Sequence, residues 1–99
     1  MKPYKVDITK SDNKEKKLKA VFYNKEGDKI KTQHFGSKGM SDYTKHKDDE
    51  RKKRYLDRHK KNENWNNPMS AGSLAKNILW NKTSIQASIS DYKKRFGLK

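Results

Sequence analysis

Tyr4, Val6 and Ile8 alternate with Lys5, Asp7 and Thr9, the two-residue period of a strand with one face buried. Ser11-Asp12-Asn13-Lys14 is a turn signal. Leu18, Ala20 and Phe22 then form a second alternating face, with Val21 and Tyr23 on the other side. Asn24-Lys25-Glu26-Gly27-Asp28 reads as a hairpin loop, with Gly27 suited to positive φ. Lys29 to Phe35 gives a third strand. The pattern predicts an antiparallel meander of three strands.

Beyond residue 36 the period changes to that of helices. Asp48-Asp49-Glu50 puts acid where a helix begins, and Arg51-Lys52-Lys53-Arg54 and Arg58-His59-Lys60-Lys61 put base further along, the polarity the helix dipole favours. This predicts a helix from about Lys45 to Asn62. Its apolar stripe is only Tyr55 and Leu56, with His59 at i+4 of Tyr55. Asn62 to Pro68 reads as a loop anchored by Trp65. Ser70 caps a second helix whose apolar face is Ala71, Leu74, Ala75, Ile78 and Leu79, broken by Asn81-Lys82. Thr83-Ser84-Ile85-Gln86 matches a capping box with Thr83 as the cap. Ile85, Ile89, Tyr92 and Phe96 continue as the stripe of a third helix, and Gly97 ends it. The expected fold is α+β: one domain over 1–99, with strands over 1–36 and helices over 37–99.

Only 29% of residues are hydrophobic and 38% are charged, so the core is thin, and a homodimer is expected to support it. The larger effect is electrostatic. Twenty-six Lys and Arg against 12 Asp and Glu give a formal charge of +14, for which a polyanion is the natural partner. DNA is favoured over RNA, and an anionic membrane or an acidic protein fits less well. The chain has no cysteine, which excludes disulfides, thiolate metal sites and cysteine nucleophiles. No apolar run approaches membrane-spanning length, and Met1 to Lys10 lacks the apolar core of a signal peptide. A protein that is not secreted is expected, soluble inside a cell or packaged from one.

Candidate chemistry centres on "HFGSKGMSDYTKHKD", His34 to Asp48. His34, His46 and His59 lack the i, i+4 spacing of a helical zinc pair; the expectation is that His34 packs on the sheet, His46 is exposed and His59 covers Tyr55. A small metal-dependent nuclease built on His46 with Asn62, Asn64 and Asn66 is the enzymatic alternative. It needs a carboxylate metal site, and Asp48, Asp49 and Glu50, being consecutive, point to different sides of a helix. No catalytic residue, metal, cofactor or small-molecule substrate is expected. Gly36-Ser37-Lys38-Gly39 is a short glycine-flanked turn in which Lys38 is a candidate phosphate contact.

The basic segment is the strongest signal. Nine Lys and Arg stand between Lys45 and Lys61 against four acids. Lys45, Lys47, Arg51, Lys52, Lys53, Arg54, Arg58, Lys60 and Lys61, with Lys93, Lys94 and Arg95, form the expected phosphate-binding set. Arg51, Arg54 and Arg58 stand at i, i+3 and i+7, on one helix face. Tyr and Trp side chains could stack on single-stranded bases, but Tyr55, Trp80, Tyr92 and Phe96 fall on core faces.

The run His34-Phe35-Gly36, Gly39-Met40-Ser41-Asp42-Tyr43-Thr44, His46-Lys47-Asp48, Arg51, Arg54-Tyr55, Arg58-His59-Lys60, Glu63-Asn64-Trp65, Ala71-Gly72, Ile78-Leu79-Trp80-Asn81-Lys82 and Tyr92-Lys93-Lys94-Arg95-Phe96 resembles a family of small basic proteins of large nucleocytoplasmic DNA viruses, with relatives in algae and protists. The resemblance covers roughly residues 30 to 96. That family has no assigned reaction, so the resemblance implies a viral setting, in the infected cell or the virion, and transfers no catalytic residue. The combined expectation is a non-enzymatic, sequence-non-specific DNA-binding protein that binds or condenses a viral genome. A structural virion protein that binds acidic partners is the non-enzymatic alternative.

Overall fold

The computed structural model describes residues 3–39, 41–61 and 65–99. It has the predicted α+β architecture. Strands β1 (Lys5–Lys10), β2 (Lys16–Tyr23) and β3 (Lys29–Ser37) form one antiparallel sheet in the order β1-β2-β3. The register pairs Val6 with Phe22, Ile8 with Ala20 and Leu18 with Phe35. The inward positions of β1 and β2 therefore meet one another across the ladder, and Leu18 meets Phe35. The hairpin between β2 and β3 closes on Gly27 at φ 91°, with the Asn24 side chain accepting from the Asp28 amide.

Among the described residues four helical segments follow. α1 (Tyr43–His46) is a single turn and α2 (Asp49–His59) is the basic helix. α3 (Ala71–Leu74) continues without a break into a π-helical turn, Ala75–Leu79. α4 (Ile85–Phe96) closes the chain, and Gly97 ends it in the left-handed conformation. Val6, Ala20, Phe22 and Phe35 from the sheet pack against Leu74, Ile78, Leu79, Tyr92 and Leu98. Burying Phe22, Phe35 and similar side chains supplies about 1.5–3 kcal/mol each. α2 contributes no buried residue. The basic helix thus rides outside a core made by the sheet and the last two helices. Lys99 exchanges two backbone hydrogen bonds with Tyr4 and Val6, so the chain end covers part of the outer edge of β1.

Several local expectations are corrected. The basic helix is not continuous from Lys45: Lys47 takes φ 55°, and Asp48 caps a new helix through the amides of Glu50 and Arg51. Two capping aspartates, Asp42 and Asp48, compete for six residues, and each starts its own helix. The expected helix end, Asn62, and the loop start through Asn64 lie outside the described residues. The cap of α4 is Ser84, whose side chain accepts from the Ala87 amide, and not Thr83; Gln86 then falls one position short of a capping box. The buried face of α4 centres on Ser88 and Tyr92, leaving Ile85 36% exposed. Ser88 is buried because its hydroxyl accepts the Lys82 amide. Ala71 is exposed, and so is Tyr4, just ahead of β1. Among the described residues no helix is long and apolar enough to cross a membrane.

Candidate nucleic-acid interface

The joint between sheet and basic helix is built from the stretch that carried the candidate chemistry. Gly36, next to last in β3, has φ 79°, and a Cβ there would stand 2.6 Å from Cδ1 of Leu79. This glycine is required by close packing against the π-helical turn. Gly39, at φ 88°, faces open space. The Lys38 amide donates to the Glu15 carbonyl at 2.9 Å, so it is committed to the fold and only the exposed side chain faces outward. Asp42 is 2% exposed. One carboxylate oxygen lies 2.5 Å from Nζ of Lys17 on β2, and the other accepts the Thr44 amide and hydroxyl. Burial alone would raise this carboxyl; hydrogen bonds from Lys17 and Thr44 and the Lys17 charge outweigh it and hold the group below its ordinary value. The pair fixes α1 to the sheet. The Tyr43 hydroxyl donates to Asp49 at 2.5 Å and ties α1 to α2; that carboxylate raises the phenol above its usual value.

α2 is held against the remaining helices by rings and one lysine. Tyr55 stacks on Trp80 with centroids 4.3 Å apart and an interplanar angle of 3°, and His59 covers its other face at 4.2 Å, as the spacing predicted. His46 lies 5.3 Å from Trp80 and is half-buried, which corrects the expectation that it is exposed; its place at the end of α1 turns it inward. Its Nδ1 accepts the Asp48 amide, which assigns the ring proton to Nε2. His34 lies on the sheet and hydrogen-bonds Ser11 at 2.7 Å. Among the described residues no group of three His, Cys, Asp or Glu side chains is arranged to hold a metal ion.

The predicted basic residues separate into distinct environments. Arg51, Arg54 and Arg58 line one groove of about 590 Å³, with Asp57, Gly39, Ser41 and Trp80. All three arginines are exposed, and among the described residues none makes an ion pair. Lys52 is directed elsewhere: its Nζ donates to the Asn81 carbonyl at 2.6 Å and lies 4.8 Å from the Tyr43 ring centre. Lys45, Lys47, Lys53, Lys60 and Lys61 are exposed around α1 and α2. Lys94 and Arg95 are exposed and Lys93 half-buried in the last turn of α4.

Sequence reasoning missed Lys76, which lies over the Trp65 ring at 4.8 Å. Burial lowers its ammonium below the ordinary value, and the charges of Arg95 and Lys52 add to that. It also missed the other wall of the arginine groove, because Trp80 reaches it from 22 or more residues along the chain. A second cavity of about 320 Å³ adjoins the groove, between the end of β3, α2 and α3 with its π-helical turn.

A family model described as a family of unknown function (DUF5754) matches residues 6–59, more than half of the chain. The chain belongs to the DUF5754 family. The DUF5754 match starts in β1 and ends on the last residue of α2, so it takes in all of the sheet but its first residue, the Asp42 joint and all three groove arginines. Trp80 and the helices that complete the core lie beyond it. No curated protein and no solved structure matches the chain.

Proposed function

We propose that this protein binds DNA without enzymatic activity and largely without regard to sequence, laying a phosphate backbone along Arg51, Arg54 and Arg58. The observation that carries this reading is the groove: three exposed arginines on one face of a helix that has no fully buried residue, without ion-pair partners among the described residues, on a chain of formal charge +14. A core helix would spend its face on packing, and a merely solvated face would intersperse acids; among the described residues Asp57 is the one acid lining the groove. Guanidinium groups suit phosphate because they donate in a planar fork. Sequence independence follows because long exposed arginines, without ion-pair partners among the described residues, are not preorganised to read base edges. Lys38, Lys45, Lys47, Lys53, Lys60, Lys61, Lys93, Lys94 and Arg95 extend the positive field around the groove. The resemblance to small basic viral proteins supports placing this binding in the service of a viral genome.

A mobility shift with duplex DNA over a salt series tests the reading. With 6–10 phosphates engaged, affinity falls roughly 10³–10⁵-fold between about 50 and 200 mM salt. Absence of binding at low salt, or affinity that stays flat across the series, rejects it.

A further inference from the structure

The arginine groove opens into the second cavity. Ser41, Arg58 and Trp80 line both, so a strand following the arginines passes the cavity mouth. The cavity's volume of about 320 Å³ stands at the lower end of small-molecule sites, roughly 300–1,000 Å³, which is room for one planar heterocycle and not for a base pair. Its floor is apolar: Phe35, Ala75 and Leu79. Lys16, Lys17, Asp42, Arg58 and His59 also line it, and Lys17 and Asp42 pair with one another. A base carries little charge and has polar edges and an apolar face. Ser37 and Ser41 bring hydroxyls to the lining, suited to those polar edges. Both faces of Tyr55 are covered, by His59 and Trp80, so the aromatic wall presents ring edges. Ring edges are electropositive and favour the face or the carbonyl oxygens of a base.

We propose that this cavity receives one unstacked base of single-stranded DNA whose phosphates follow Arg51, Arg54 and Arg58. The proposal rests on the DNA-binding reading above and adds to it a preference for strands that carry accessible bases. In a duplex the same base would first have to be unpaired and unstacked.

Fluorescence anisotropy with two labelled strands of equal length separates the claims: an oligothymidine, and an abasic strand with the same backbone and no bases. The oligothymidine binds about tenfold tighter than the abasic strand if one base is captured. Ala71→Phe supplies the second arm, because Ala71 lines the cavity yet is exposed at the first turn of α3, where a larger side chain fits without disturbing the core. It abolishes the tenfold ratio and leaves affinity for the abasic strand unchanged. Equal affinity of the wild-type protein for both strands overturns the base cavity while leaving backbone binding in place. A tenfold ratio that survives Ala71→Phe overturns the cavity as its location. Failure to bind either strand overturns both readings.

Discussion

Replacing Asp42 by asparagine removes a charge and keeps the shape. Asparagine is also a good helix cap, so the contact to the Thr44 amide is preserved. What disappears is the charge partner of Lys17, whose side chain is only 14% exposed. Breaking a buried pair by deleting one partner typically costs about 3–5 kcal/mol; with Lys17 partly reaching water, about 2–3 kcal/mol is expected here. That is a large share of a total stability of about 5–15 kcal/mol. Urea unfolding followed by tryptophan fluorescence reads the loss as a lower midpoint at unchanged slope. Adding Lys17→Met to Asp42→Asn removes the lysine charge that has lost its carboxylate and recovers at least half of the loss. The pH dependence gives a further check. The folded carboxyl lies below the ordinary 3.8, so the pair's contribution is complete above that value. It drains away as pH falls through the lower folded value, and wild type and Asp42→Asn converge there. A variant as stable as wild type at neutral pH, or a gap that persists undiminished once the carboxylate is protonated, refutes the assignment of this pair as the tie between sheet and α1.

Two further changes test the joint and the last helix. Gly36→Ala forces a left-handed backbone, about 1–2 kcal/mol, and a contact with Leu79 that adds about 1–3 kcal/mol of overpacking. Gly39→Ala carries only the backbone cost, because the space beside it is open; equal losses at the two positions in thermal unfolding would contradict the packing role of Gly36. Ser84→Ala lowers stability by about 1 kcal/mol and Thr83→Ala leaves it nearly unchanged, whereas the reverse order would return the cap to Thr83.

The sheet was legible in the sequence because a strand's two faces alternate along a few adjacent residues; Val6, Ala20 and Phe22 needed no distant information. The arginine face was legible for the same reason, since i, i+3 and i+7 is a local geometry. The break between α1 and α2 was not, because neither glycine nor proline marks it and Lys47 adopts φ 55° under the influence of caps on both sides. Charge counting places Lys52 in the phosphate-binding set and does not single out Lys17 or Asp42. Each is held by a partner far along the chain: Lys17 and Asp42 by one another, and Lys52 by the Asn81 carbonyl. The Tyr55 and Trp80 rings were assigned to a common core, yet they stack across two elements and form the seam that holds the basic helix to the rest of the molecule.

The slope of log affinity against log salt, compared between wild type and the triple variant Arg51→Gln, Arg54→Gln, Arg58→Gln, tests the central claim most directly. Glutamine preserves helix propensity, and all three positions are exposed, so the fold is retained and circular dichroism verifies it. Each phosphate contact contributes about 0.9 to the slope on duplex DNA, so losing three reduces its magnitude by about 2.7. A triple variant that binds duplex DNA with the wild-type affinity and the wild-type slope contradicts the assignment of this face as the DNA-binding surface.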